Sequence, residues 1–496
     1  MTVMEKTKTK SQQTREKLTH PVIDSDGHTV ECEVAFLEYL KDVGGPRMVD
    51  RYRATDIFGS FVDMRGGWYR LNPEDRMYRR VTRRPWWGLP ARNTLDRATA
   101  SLPRLLYERL PETGVDFAVL YTTVGLAFPN LLDDELRQAC CRALNDYNHD
   151  IFKEYSDRLT PSAVIPMNTP REAIAELEHA ITDLGMKSIM MASHVRRQVP
   201  VVAEKFPEAA CYATWIDNFV IDSPYDYDPV WAKCVELKVC PTYHSGTMGV
   251  GTRATVTNYM YNHIGHFAQA GEGLAKALFM GGVTRRFPGL KFAFLEGGVA
   301  WGCSLYADLI GHWEKRNGNH IERYNPANID RQLYVDLFKK YGGDKLGKDR
   351  IIARLMEDSL LYKNLEDSST LRDEWAPAKI EKLEDFNELF VKPFYFGCEA
   401  DDPTNAWAFD VKRNPLQAKL KPVFSSDIGH WDVPDITEVT EEAHELVDHG
   451  LISEEEFREF VFVNPVHLWT DMNPRFFAGT VVEDAVDKLM ASNPHR

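Results

Sequence analysis

The chain has 496 residues, of which 44% are hydrophobic, and its 59 lysines and arginines against 74 aspartates and glutamates give a net charge of −15. This length and hydrophobic share allow a large core, while the acidity argues against nucleic acid or anionic lipid as partner, because both need a basic surface. No apolar run approaches the ~20 residues of a membrane span, so we expect a small-molecule substrate and no membrane partner.

The two ends of the chain are predicted to lie outside one large domain. Residues 1–20 are polar and basic without a following apolar stretch, which is typical of a flexible leader rather than a secretory signal. The eight cysteines show no C-x-x-C spacing, which favours reduced thiols in a cytoplasmic protein. We expect a single domain over residues 21–475 and a tail over residues 476–496.

The first predicted strand carries alternating polar residues. The apolar pair Val22 and Ile23 leads into Asp24, Asp26 and His28. Alternate side chains of a strand share one face, and burying two carboxylates beside an imidazole is costly unless a divalent cation neutralises them. These residues taken alone would also fit a surface turn.

Strands and helices then alternate along more than 350 residues. Further buried strands are predicted at residues 115–121, 162–165, 187–191, 239–244, 291–296, 394–398 and 421–427. Helices are predicted at residues 133–155, 169–185, 229–237, 267–279, 301–315 and 436–449. This alternation predicts an α/β fold, a (β/α)₈ TIM barrel with helical insertions. A doubly wound open sheet is the alternative, although no G-x-G-x-x-G follows a strand.

Two stretches are longer than ordinary connections between barrel elements. Residues 195–228 contain several prolines and acids and predict an irregular loop over one end of the fold. Residues 317–392 are polar and mostly helical in pattern, and we expect them to pack on the barrel rim or on a second subunit. A homo-oligomer, most simply a dimer, is therefore expected.

Ionisable residues stand where the predicted strands end. They are Asp26, His28, His194, His244, Glu296 and Asp427. All carboxyl ends of barrel strands meet at one rim, so these residues can converge there, and a mixed histidine and carboxylate set suits Zn²⁺ or Mn²⁺. Each also has a plainer interpretation: His244 as a loop histidine, Glu296 as an acid at a helix start, and Asp427 as a turn residue.

Taken together, these residues carry a family resemblance. The motifs are Asp24-x-Asp26-x-His28-x-x-Glu31, His244, the run from Gly282-Val283 to Phe287-Pro288-x-Leu290-Lys291, Leu295-Glu296-Gly297-Gly298-x-x-Trp301, Ser426-Asp427-x-x-His430 and Asn464-Pro465. In this order, over roughly residues 20–470, the chain resembles the amidohydrolase-related metal-dependent hydrolases. That branch includes aminocarboxymuconate semialdehyde decarboxylase and the aromatic-acid decarboxylases.

The resemblance implies a (β/α)₈ barrel that holds one divalent metal ion, zinc in the first place and manganese as the alternative. Its ligands would be Asp26, His28, His244 and Asp427. Two positions depart from the family pattern. Asp26-x-His28 stands where many members have His-x-His, and Glu296 stands where the decarboxylases commonly carry a histidine. Glu296 is then either a ligand or the acid/base.

Three functions remain open from the sequence. In the first, a metal-activated water hydrolyses a carbonyl-adjacent C–N, C–O or C–C bond of a small organic, possibly aromatic, substrate. The second is metal-dependent non-oxidative decarboxylation of an aromatic or ring-cleaved acid, and the third is a metal-binding barrel without catalysis. The expected catalytic residues are Asp427, Glu296 and His266.

The expected substrate-binding residues are His194, Arg65, Trp301 and His430. Of these, His194 or His430, like His266, would stabilise an oxyanion, and Arg65 or Trp301 would hold a carboxylate or an aromatic ring. The aromatic-rich residues 66–69 and 84–87 suggest a lid over the substrate, or alternatively packing at the barrel bottom or at an interface.

Overall fold

The computed structural model describes residues 7–57, 67–84, 92–357 and 373–492. It contains ten strands: β1 (Ile23–Thr29), β2 (Phe117–Thr122), β3 (Leu159–Ile165), β4 (Ser188–Met191), β5 (Val195–Gln198), β6 (Thr214–Asp217), β7 (Pro241–Tyr243), β8 (Phe292–Phe294), β9 (Phe394–Glu399) and β10 (Pro422–Ser425). Eight of them form one sheet in the order β1-β2-β3-β4-β7-β8-β9-β10, and the neighbouring strands in this order pair in parallel.

The chain up to residue 263 contributes ten helices within the described ranges. They are α1 (Lys10–Lys17), α2 (Glu33–Ala54), α3 (Pro73–Arg79), α4 (Thr94–Thr99), α5 (Pro103–Arg109), α6 (Asp134–Phe152), α7 (Pro170–Glu178), α8 (Pro200–Lys205), α9 (Asp228–Leu237) and α10 (Tyr259–His263). The rest of the chain contributes α11 (His266–Met280), α12 (Val283–Arg286), α13 (Ala300–Arg316), α14 (Arg331–Tyr341), α15 (Gly343–Leu346), α16 (Asp349–Ile352), α17 (Val439–Asp448), α18 (Glu454–Arg458), α19 (Asn464–Thr470) and α20 (Glu483–Ser492).

The sheet closes on itself where β1 meets the end of β10. Two backbone hydrogen bonds cross this seam: the Asp427 amide donates to the Asp26 carbonyl at 3.1 Å, and the His28 amide donates to the Ile428 carbonyl at 2.8 Å. The strand order follows the chain and does not reverse, apart from the inserted pair β5 and β6. The prediction of a (β/α)₈ barrel is therefore confirmed, and the open-sheet alternative is wrong.

The barrel strands are buried on both faces, as parallel sheets covered by helices usually are. Every residue of β1, β2 and β10 is buried. In β2 and β10 this burial explains why the strands could be recognised as short, nearly continuous apolar runs. The predicted helix start at Thr169 is also confirmed. The Thr169 hydroxyl accepts from the Glu172 amide at 3.3 Å, and the Glu172 carboxylate accepts from the Thr169 amide at 2.5 Å.

Three stretches differ from expectation. Residues 195–228 are not irregular, because β5 and β6 pair as an antiparallel hairpin with α8 between them. In the expected leader, residues 10–17 form a capped helix, α1, and the Ser11 hydroxyl accepts from the Thr440 amide at 3.2 Å. In the expected tail, Val486 and Leu489 of α20 are buried in the core.

The second insertion carries the short helices α14 to α16, so its predicted helical character holds for the residues that are described there. Among the helices of the described ranges, none is both long and apolar enough to cross a bilayer. All eight cysteines are free thiols, as the sequence predicts.

Candidate active site

Five ionisable side chains meet at the rim where the barrel strands end. Asp26 and His28 come from β1, and His244 follows β7 directly. Glu296 and Asp427 each lie two residues beyond a strand, β8 and β10 respectively. All five are at most 7% exposed. The rim thus concentrates three carboxyl groups and two imidazoles in a nearly dry space.

The facing atoms of these side chains are close together. The His28 Nε2 lies 3.1 Å from the His244 Nε2, 3.2 Å from the Asp427 Oδ1 and 3.6 Å from the Asp26 Oδ1. The His244 Nε2 lies 2.9 Å from the Glu296 Oε2 and 3.7 Å from the Asp26 Oδ1. Atoms that share one ion at about 2.1 Å lie about 3.0 Å apart in an octahedron and about 3.4 Å apart in a tetrahedron. The observed spacings, from 2.9 to 3.7 Å, are centred on that range.

The carboxylate oxygens that face this space have no hydrogen-bond donor among the described residues. They are the Asp26 Oδ1, the Glu296 Oε2 and both oxygens of Asp427. Buried acceptors without donors are costly, so such a group of them indicates that a cation belongs there. The residues present therefore fit a divalent metal ion.

The pKa shifts of these five side chains also favour a bound cation. Burial, followed by the neighbouring His430, lowers the pKa of both His28 and His244 well below its ordinary value, so both imidazoles are neutral and able to ligate. Burial, followed by neighbouring carboxylates, raises the pKa of Asp26, Glu296 and Asp427 well above its ordinary value. Positive charge in this space would reverse that trend.

Two of the site carboxylates sit on strained backbone. Glu296 has φ of 55° and Asp427 has φ of 50°, both in the left-handed region that residues other than glycine seldom adopt. Strain of this kind persists where the surrounding structure enforces it, and it clusters at functional sites. Here it turns the chain sharply at the ends of β8 and β10 and presents both carboxyl groups to the rim.

Asp24 does not join the group, contrary to the expected shared face. The register of β1 against β2 shifts between Asp24 and Gly27, so one extra residue bulges out of β1. Asp24 consequently accepts from the Ser426 amide at 3.0 Å and from the Ser426 hydroxyl across the barrel seam. It ties β1 to the turn that carries Asp427 instead of facing the candidate metal site.

His430, which the sequence analysis predicts to bind substrate, lies beside the donor set. Its ring stacks on the ring of His28 at 3.8 Å, and its Nδ1 lies 2.8 Å from the Asp427 Oδ1. Its Nε2 lies 3.2 Å from the Thr123 hydroxyl. The contacts with His28 and Asp427 indicate that His430 orients the donor set.

A cavity of about 360 Å³ opens beside the donor set and shares Glu296 with it. Its walls include Glu399, Asp432, Trp431 and Phe267, none of which was singled out from the sequence. Glu399 is the last residue of β9, so the same strand-end rule would have found it had that strand been extended by one residue. Asp432 and Trp431 lie in the loop after β10 and carry no comparable signal.

The remaining predicted residues do not belong to the donor set, although the ring of His266 packs on two residues of the cavity wall, Phe267 at 4.0 Å and His263 at 5.0 Å between centroids. His194 and His266 are buried but belong to none of the possible metal-donor groups of the described residues. Trp301 packs its ring against Phe294 and Phe396, at 5.6 and 5.1 Å between centroids, so it is a packing residue of α13. Arg65 lies outside the described residues.

Part of the expected lid also falls outside them, namely residue 66 and residues 85–87. The described part includes Trp68, whose indole nitrogen donates to the Val256 carbonyl at 2.9 Å.

Three solved structures are similar to this chain, and the first of them supports the fold. An amidohydrolase from Mycobacterium avium subsp. paratuberculosis K-10 is 15% identical with a TM-score of 0.50, over 91% of this chain and 100% of that one. A 2,6-dihydroxybenzoate decarboxylase from Rhizobium is 14% identical with a TM-score of 0.45, over 91% and 99%. A manganese complex of 5-carboxyvanillate decarboxylase from Novosphingobium aromaticivorans DSM 12444 is 15% identical with a TM-score of 0.45, over 93% and 98%.

The sequence itself decides the family. The family model described as Amidohydrolase matches residues 63–346, which is more than half of the chain. The match agrees with the resemblance carried by the strand-end motifs and with the donor set at the barrel rim. The chain therefore belongs to the amidohydrolase family and is a metal-dependent enzyme.

Proposed function

We propose that the protein is a hydrolase that uses a metal-activated water on a carbonyl-adjacent bond of a small organic substrate. The observation that carries this proposal is the position of Glu296. Its buried Oε2 lies 2.9 Å from the His244 Nε2 and accepts no hydrogen bond from a described residue, while the same side chain lines the cavity. A carboxylate between the donor set and the substrate space is what proton transfer from water to a leaving group needs.

Asp26, His28, His244 and Asp427 are the proposed ligands. They offer two carboxylates and two neutral imidazoles, a set that suits zinc or manganese. When bound there, a divalent ion supplies a Lewis acid and lowers the pKa of a water molecule toward ~7. His430 keeps Asp427 in place through the contact at its Oδ1.

Glu296 acts as the proposed acid/base. It takes a proton from the attacking water and returns it to the leaving group, so no proton has to cross the dry rim from bulk solvent. Asp427 contributes charge and is held by the barrel seam, because its own amide donates to the Asp26 carbonyl. The two strained carboxylates would then have separate tasks, which their different partners support.

Decarboxylation of an aromatic acid is the second candidate. The aromatic side chains of Phe267 and Trp431 in the cavity wall favour it, since they offer flat apolar surface to a ring. In that reaction the protonated form of Glu296 would deliver a proton to the ring carbon. The two candidate reactions use the same metal ligands. They differ in whether an oxygen atom from water is incorporated into the product.

Turnover in H₂¹⁸O distinguishes the two functions. The zinc-loaded and manganese-loaded enzymes are incubated with a panel of amides, esters, β-diketones and hydroxybenzoates, and products are read by mass spectrometry. Hydrolysis predicts one ¹⁸O in the product acid and no release of CO₂. Release of CO₂ without ¹⁸O in the aromatic product would replace the proposed function with the second candidate.

A further inference from the structure

The cavity beside the donor set is rich in carboxylates. Glu296, Glu399, Asp402 and Asp432 all line it. Single oxygen atoms of Glu296, Glu399 and Asp432 lie within 4.8 Å of one another. Carboxylates at such distances repel unless positive charge lies between them. Burial raises the pKa of Glu399 to about 8, so the acids of this cavity are fully ionised near neutral pH only when a positive charge lies beside them.

No basic side chain among the described residues offsets this charge. The described lining contains no lysine or arginine. His263 also lines the cavity, but burial lowers its pKa, so it is neutral. The walls are thus acidic without an internal counter-charge in this part of the chain.

One divalent ion at the rim does not neutralise all the carboxylates of the site and the cavity. Its two charges offset the two proposed carboxylate ligands, Asp26 and Asp427. Glu296, Glu399 and Asp432 then remain beside a space large enough for a small organic molecule. Glu296 is 7% exposed and its Oε2 has no donor among the described residues, so the need for positive charge extends from the rim into the cavity.

The aromatic residues of the cavity wall indicate which kind of cation would bind there. Trp431 and Phe267 line the same cavity as the acids. Aromatic faces attract ammonium and guanidinium groups, most strongly where water is excluded. Acids together with aromatic rings therefore suit an organic cation better than a carboxylate anion, which both kinds of wall would disfavour.

We propose that the cavity selects substrates carrying an ammonium or amidinium group near the bond that is cleaved, with Glu399 and Asp432 as the specificity-determining residues. This inference rests on the function proposed above, because it assigns the substrate class of the same site. Carboxylic acids are then poor ligands unless they also carry such a cation.

Three probes of similar shape test the inference on the manganese-loaded full-length enzyme: benzylamine, benzyl alcohol and benzoate. Titration calorimetry at pH 7.5 should show benzylamine binding at least about tenfold more tightly than benzyl alcohol. Raising the salt concentration should reduce this preference, because screening weakens charge attraction. The salt series uses the wild-type protein and needs no substitution.

Substitutions then test which residues cause the preference for benzylamine. Glu399→Gln and Asp432→Asn should each reduce the amine preference at least threefold and leave the affinity for benzyl alcohol unchanged. Asp344→Asn, which removes the same charge from the exposed helix α15, is the matched control and should keep the preference. The metal content of each variant is measured in parallel.

Two results would overturn the inference. One is benzoate binding more tightly than benzylamine to the wild type. The other is a metal content of two ions per chain that falls to one in Glu399→Gln, since the carboxylates would then hold a second cation. Binding is read without turnover, so a wild type that shows no amine preference refutes this inference alone, whereas products without ¹⁸O refute the proposed function alone.

Discussion

The hydrogen bond between Ser426 and Asp24 offers a direct test of how the barrel seam holds the site. The Ser426 hydroxyl donates to the fully buried Asp24 and accepts from the Ile428 amide at 3.2 Å. Ser426→Ala removes both contacts. Bonds to ionised groups contribute about 1.5–3 kcal/mol and neutral ones about 1 kcal/mol, so the free energy of unfolding should fall by about 2–4 kcal/mol at pH 8.

The size of this loss depends on pH in a definite direction. Burial raises the pKa of Asp24 to about 6, so the carboxyl group is ionised at pH 8 and largely protonated at pH 5. The bond is charge-assisted only in the ionised form, and the loss at pH 5 should shrink to about 1–2 kcal/mol. In the wild type, the folded state keeps a proton between roughly pH 4 and 6 that the unfolded chain releases, so the contribution of Asp24 to stability falls as pH rises through that window.

Ser425→Ala is the matched control. Ser425 is equally buried and adjacent in sequence, but its hydroxyl has no hydrogen-bond partner among the described residues. Urea denaturation of the metal-free proteins at pH 5 and pH 8 measures both variants. The reasoning is refuted if Ser426→Ala costs no more than Ser425→Ala, or if its cost is larger at pH 5 than at pH 8.

Three further outcomes are expected. Glu296→Gln should keep the metal and lower kcat by 10²–10⁴-fold on any substrate found, whereas loss of metal from this variant would make Glu296 a ligand instead of the acid/base. Gly27→Ala should destabilise the metal-free protein by about 1–3 kcal/mol in urea denaturation, because a Cβ would lie 2.6 Å from the Asp24 Oδ2, and a neutral effect would contradict the bulge geometry. Leu333 and Leu337 are 54% and 43% exposed on one face of α14, so we expect a dimer that Leu337→Asp weakens in sedimentation equilibrium, and a wild-type monomer would contradict this.

The barrel could be predicted because its signals are local. The buried parallel strands after β1 are mostly short apolar runs between helical patterns, and β/α alternation of this length has few architectures. The polar residue that follows such a run is readable as well, which is how His244, Glu296 and Asp427 were found. The cytoplasmic location and the dimer stay predictions.

The remaining differences come from contacts that the sequence does not display. The bulge that turns Asp24 toward Ser426 depends on the register of β1 against β2, which only the partner strand fixes. The hairpin of β5 and β6 likewise depends on pairing across intervening residues. Trp301 is close to Glu296 in sequence, yet its ring packs against Phe294 and Phe396. The reason is that Trp301 belongs to helix α13, whose direction determines where this side chain points.

The acidic cavity shows the same limit at the site itself. Glu399 and Asp432 lie 103 and 136 positions after Glu296, and only barrel closure brings their carboxylates together. No local pattern predicts that three acids share one space without a basic neighbour. The charge balance at the rim can therefore be determined only from the three-dimensional structure.

The central claim is that one divalent ion is held at the rim by Asp26, His28, His244 and Asp427. Elemental analysis of the wild type, His244→Ala and His194→Ala, purified identically and loaded with zinc or manganese, tests it most directly. His194 is also a buried histidine but lies outside the donor groups of the described residues, so it controls for the loss of an imidazole. We expect about one ion per chain in the wild type and in His194→Ala and none in His244→Ala. A wild type that binds neither metal, or a His244→Ala protein that keeps its ion, would contradict it.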